Sequence, residues 1–112
     1  MVQVVYRDGI RQAPPLGFLV EQVNRRLEEV LGTSAHLVSA EWDRGEDSFG
    51  HEVLILRLSD STGSATATFD PKELEQPVQL RDRFRRLWGD LLQLRSRKQL
   101  DAVLGVGDAQ GE

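Results

Sequence analysis

The stretch EVLILRLSDSTGSATATF, residues 52–69, decides how this chain folds. Residues 52–59 alternate, placing Leu54, Leu56 and Leu58 on one face and Val53, Ile55 and Arg57 on the other. That period of two marks a strand with one buried side. Asp60-Ser61-Thr62-Gly63 is turn chemistry. Residues 64–69 resume the alternation, with Ala65, Ala67 and Phe69 set against Ser64, Thr66 and Thr68. Two such strands joined by a short turn form an antiparallel hairpin.

Upstream, HLVSAEW (36–42) also alternates, with Val38, Ala40 and Trp42 on one face. DRGEDSFG (43–50) then reads as a mobile loop leading into the hairpin. VQVVY (2–6) is rich in β-branched residues and reads as a short strand that could extend the sheet, closed by the turn pair Asp8-Gly9. After Pro14-Pro15, the residues Leu19, Val20, Val23, Leu27, Val30 and Leu31 recur at helical spacing, and Gly32 supplies a stop.

Downstream, Asp70-Pro71-Lys72-Glu73 is a helix start: Asp caps free N–H groups, Pro suits the first helical position, and Glu completes a capping box. After a short turn ending near Pro77, a long helix is expected from Val78. Leu80, Phe84, Leu87, Trp88, Leu91 and Leu94 form one stripe on it, whereas Leu100, Val103 and Leu104 fall roughly opposite. Ser96-Arg97-Lys98-Gln99 matches a capping box. The pattern therefore predicts a break near Ser96 and a short final helix to Leu104, stopped by Gly105. The alternative is one unbroken helix whose end grips a partner.

The resulting order is β-α-β-β-β-α-α. It is an α+β fold, an antiparallel meander sheet with helices packed on one face. The expected organisation is one domain over residues 1–105 and a flexible C-terminal tail over 106–112. With 112 residues, the chain supports one modest core. It has no cysteine, hence no disulfide framework or thiolate metal site. No apolar run approaches the roughly 18 residues of a membrane span, and the N-terminus does not read as a secretory signal. A cytoplasmic location without membrane attachment is expected.

Charge is unevenly spread around a net −4. Glu41, Asp43, Glu46, Asp47 and Glu52 outweigh Arg44 in the first loop region. Arg81, Arg83, Arg85, Arg86, Arg95, Arg97 and Lys98 outweigh Asp82 and Asp90 on the long helix. Such a dipole steers association.

Catalytic constellations fail on spacing. The acidic loop, with His51 beside it, does not match the calcium-loop pattern. The strands lack the acid and acid-x-Lys set of a magnesium-dependent nuclease. Ser34, two residues before His36, is not in a G-x-S-x-G elbow. GVGDAQG neither follows a strand nor opens a helix, so its G-x-G is not a dinucleotide fingerprint. No catalytic residue, metal ligand or cofactor is expected.

The order α-β-β-β-α resembles the topology of double-stranded RNA-binding domains, which grip phosphates with a Lys-rich start to the second helix. Here that start, Asp70-Pro71-Lys72-Glu73-Leu74-Glu75, is net acidic, and the resemblance covers topology alone. The layout also resembles small acidic dimeric chaperones of secretion systems, but without their additional strands. Neither family is assigned.

The helix-free sheet face would show Ser39, Glu41, Val53, Ile55, Arg57, Thr66 and Thr68. Its small apolar patch with a polar rim suits a partner surface. The expectation is a small non-enzymatic interaction, adaptor or accessory subunit that self-associates or docks on a larger protein. Val53 and Ile55 would bind from the sheet, Leu100, Val103 and Leu104 from the terminal helix, and Arg85, Arg86, Arg95 and Arg97 through charge. The alternative is a nucleic-acid-binding module using the basic C-terminal helix.

Overall fold

A computed structural model describes the backbone over residues 2–111 and the side chains over residues 2–100. The elements are β1 (Gln3–Tyr6), α1 (Asp8–Arg11), α2 (Pro14–Leu31), a 3-10 helix (Gly32–Leu37), β2 (Ser39–Glu46), β3 (Glu52–Asp60), β4 (Gly63–Phe69), a second 3-10 helix (Pro71–Glu75) and α3 (Pro77–Gly111). The α+β class follows directly. The four strands form one sheet in the order β1-β2-β3-β4.

The hairpin forms as its alternation dictates, with Leu54 opposite Phe69 and Leu58 opposite Ala65. β2 and β3 are also antiparallel, and Trp42 faces Leu56. The expected all-antiparallel meander is corrected at β1, which runs parallel to β2 with Val4 opposite Ala40. The reason lies in the connection. A strand followed by a long helical crossover re-enters the sheet from the end at which it began, and parallel pairing requires such a crossover. Here α1 and α2 provide it.

The core joins one sheet face to both long helices. Ala40, Trp42, Leu54, Leu56, Leu58 and Phe69 are fully buried against Val20 and Leu27 of α2 and Leu80, Phe84 and Leu91 of α3. Each large aliphatic side chain so buried contributes roughly 1.5–3 kcal/mol. Phe69 sits at the centre of an aromatic chain, 6.0 Å from Trp42 and 5.7 Å from Phe84 between ring centroids.

One polar group is built into this core. Asn24 accepts from Trp42 Nε1 at 2.8 Å and donates to the Tyr6 hydroxyl at 2.7 Å. Burial, then the nearby Glu21 carboxylate, push the Tyr6 pKa above its ordinary value, against the hydrogen bond from Asn24. The link fastens α2 to two neighbouring strands and satisfies groups that would otherwise be costly to bury.

Further differences from expectation are local. Asp8-Gly9, read as a turn, opens α1, and His36 and Leu37, read as the start of a strand, close the first 3-10 helix. β2 extends through Glu46 into a tight turn closed by Asp47, whose Oδ1 accepts from the backbone N–H groups of Phe49 and His51. These bonds, the one from His51 leading, outweigh partial desolvation and hold the Asp47 pKa below its ordinary value. The expected break near Ser96 and the expected stop at Gly105 are both absent: α3 runs through them to Gly111. Arg, Lys and Gln are good helix formers, and no Pro or Gly interrupts residues 90–100. A Ser-x-x-Gln spacing inside a helix meets N–H groups already satisfied by the preceding turn. By contrast, the Asp70 start forms as read, with both halves of its capping box present.

Candidate functional site

Because α2 and α3 share one sheet face, the other face is left without a covering layer among the described residues. Strand alternation places Val5 of β1, Glu41 and Asp43 of β2, Val53, Ile55 and Arg57 of β3, and Thr66 and Thr68 of β4 there. Its electrostatic centre is Glu41, which pairs with Arg7 and lies 3.9 Å from Arg57 Nη1. Arg7, Glu41, Asp43, Ile55, Arg57 and Thr66 line a shallow depression of about 360 Å³.

Ile55 and Val53 occupy one end of this surface. Both are half-buried. Val53 is opposite Gly45 in register, and a Cβ added at Gly45 would approach Ile55 Cδ1 to 3.0 Å. The missing side chain on β2 gives the Ile55 side chain its seat. The result is a compact apolar spot bordered by Asp43 and the Glu41–arginine cluster.

The expected basic residues of α3 divide. Arg95 donates to Asp60 Oδ2 at 2.5 Å and lies over the Trp88 ring, 5.6 Å from its centroid. Arg83 bonds both Glu73 and the Thr68 carbonyl oxygen at 2.6 Å, and Arg81 is 3.7 Å from Glu29. Arg85, Arg86 and Arg97 are exposed. Arg85 sits beside Glu29 and Arg81, whereas Arg86 lines a groove with Thr66, Thr68 and Asp90 along β4. The basic helix is thus partly neutralised by its own domain and, among the described residues, presents no continuous cationic stripe.

Leu100 is 57% exposed. Val103 and Leu104 lie outside the residues whose side chains are described, as does the expected tail over 106–112. The structure brings Val53 and Ile55 together but sets them on the opposite side of the sheet from α3. Sequence reasoning missed Arg7 as a partner of Glu41, since the pair joins residues 34 apart. The parallel pairing of β1, which sets Val5 opposite Glu41, would have exposed it.

Among the described residues, no group of three or more His, Asp or Glu side chains converges as metal ligands would. No helix among them is long and apolar enough to cross a membrane.

Fold and surface together define an α+β domain with one sheet face packed and the other open. Comparisons with family models, with curated proteins and with solved structures returned no match.

Proposed function

We propose that this chain is a small non-enzymatic interaction or accessory subunit that meets protein partners through its open sheet face. The observation that supports this reading is the half-buried Ile55–Val53 spot beside Glu41, Arg7 and Arg57. An apolar centre with a charged rim gives a partner both burial and orientation. The pairing of Arg83 with Glu73 and Arg95 with Asp60 favours protein over phosphate, since those guanidiniums already have acidic partners.

The test compares wild type with Ile55→Lys and Val53→Lys. Both side chains lie on the face away from the core, so circular dichroism should be unchanged and melting should fall only slightly, by the half-buried area each one loses. Cross-linking mass spectrometry in cell extract with a carboxylate-directed reagent, which the introduced lysines do not engage, should place partner cross-links on Glu41 and Asp43 beside Ile55 and lose them in the variants. Cross-links that persist in both variants overturn the reading. Salt-sensitive binding of duplex RNA or DNA that disappears in Arg85→Glu/Arg86→Glu would replace it with the nucleic-acid alternative.

A further inference from the structure

β4 ends the sheet, pairing with β3 alone among the described residues. Its sequence, GSATATF, contains no charge and no proline. Charge and proline are among the devices by which natural edge strands avoid pairing with another chain. The outward row of backbone groups can be assigned. Asp60 pairs with Gly63 across the two-residue turn, and alternation from there turns Ser64, Thr66 and Thr68 away from β3. Arg83, donating to the Thr68 carbonyl oxygen from outside the sheet, confirms the assignment.

We infer that this edge pairs with the same edge of a second copy, antiparallel and centred on Thr66, so that two sheets join into one. This goes beyond the open-face reading above, because it names a second copy of the chain as partner and a different surface, the β4 edge, as the contact. The argument comes from α3. The helix runs antiparallel beneath β4, with Phe84 against Phe69 and Leu94 against Gly63. A two-fold axis through Thr66 therefore crosses α3 at about the height of Trp88.

Arg83, Arg86 and Asp90 of α3 line the groove along β4, and helical spacing continues that stripe to Gln79 on one side and to Gln93 and Arg97 on the other. Reversed about that height, it matches itself. Arg86 comes opposite the second copy's Asp90, Arg83 opposite its Gln93, and Arg97 opposite its Gln79. No like charges meet, and the central pair is oppositely charged on both sides of the axis. Arg86 and Asp90 line the groove along β4 with Thr66 and Thr68, and neither forms an ion pair with a described residue of its own chain. The Thr68 carbonyl oxygen has a second lone pair, so Arg83 need not release it.

The experiment is sedimentation velocity of the full chain from micromolar to several hundred micromolar, with three variants. Thr66→Pro removes an outward N–H at an edge position that tolerates proline. Asp90→Arg sets Arg opposite Arg86 across the axis. Arg86→Asp/Asp90→Arg restores opposite charges with the signs exchanged. Wild type should dimerise, Thr66→Pro and Asp90→Arg should weaken the dimer at least tenfold, and the exchanged variant should recover it. Circular dichroism should match wild type throughout, and Arg86→Glu replaces any variant that fails this check. A wild-type monomer at the highest concentration overturns the proposal. So does a dimer indifferent to these changes. Because Ile55→Lys lies off this edge, it should leave dimerisation intact, which separates failure here from failure of the open-face reading.

Discussion

Arg95 reaches back to Asp60 across 35 residues of sequence, and Nη2 donates to Oδ2 at 2.5 Å. The Asp60 side chain is only 3% exposed, and its other oxygen accepts from the Thr62 N–H at 2.8 Å and hydroxyl at 2.5 Å. One carboxylate thus holds the β3–β4 turn in shape and fastens it to α3. Removing the guanidinium leaves a buried charge with fewer partners. Arg95→Ala should therefore destabilise the domain by about 1–3 kcal/mol, read as a lower urea midpoint with an unchanged slope.

The same carboxylate sets an acid response. Burial acts to raise the Asp60 pKa, but hydrogen bonds from the Thr62 hydroxyl, Arg95 and the Thr62 N–H outweigh it, so the pKa lies below its ordinary value. A depressed folded-state pKa contributes stability above the unfolded value of about 3.9, and that contribution disappears as pH falls through the folded value. The stability gap between wild type and Asp60→Asn should be constant from neutral pH down to about pH 5 and shrink below about pH 4. Urea unfolding across that range measures it. A gap that widens on acidification contradicts the assignment.

Gly63 should resist substitution. A Cβ there would lie 2.6 Å from Leu94 Cδ2, and the backbone φ of 150° disfavours an L side chain. Gly63→Ala is expected to cost about 1–3 kcal/mol. Adding Leu94→Ala removes the overlap but not the backbone strain, so the double variant should be less destabilised than the two single costs combined. Strict additivity would show that the overlap is not what matters.

Asn24→Ala deletes the acceptor of the buried Trp42 Nε1–H and the donor to Tyr6. The expected loss is about 2–3 kcal/mol, followed by tryptophan fluorescence during urea unfolding. A loss below about 0.5 kcal/mol, the size of an ordinary surface change, would mean that water replaces the amide.

Asp47 gives a purely local prediction. Its carboxylate accepts the N–H groups of His51 and Phe49 in an exposed turn, and its pKa lies below the usual carboxylate value. The amide resonances of Phe49 and His51 should shift together with a midpoint below 3.8. In Asp47→Ala that shared titration should vanish while the melting temperature barely moves.

The strands were legible because Leu54, Leu56, Leu58 and Phe69 carry period two without interruption. The start of the second 3-10 helix was legible because Asp70, Pro71 and Glu73 each have a distinct local role. Pairing direction was harder to read, since it resides in how Tyr6 connects to Ser39 rather than in either strand. The continuity of α3 was read only as the alternative, because opposite apolar stripes do not oblige a helix to break when its end extends past the packed core. At the candidate site, alternation alone placed Val53 and Ile55. Arg7 and the Gly45 gap became visible only with the register, which no periodicity encodes.

The parallel seating of β1 also sets an order of assembly. β2, β3, β4 and α3 are joined by short links, and each meets its sequence neighbour. β1 is four residues long and finds its place only after the whole α1–α2 crossover has returned the chain to β2. Closing that long loop requires distant segments to meet, a step that slows folding. The hairpins and α3 are therefore expected to form the scaffold onto which β1 is added last, and the β1 amides should be the first strand amides to exchange with solvent.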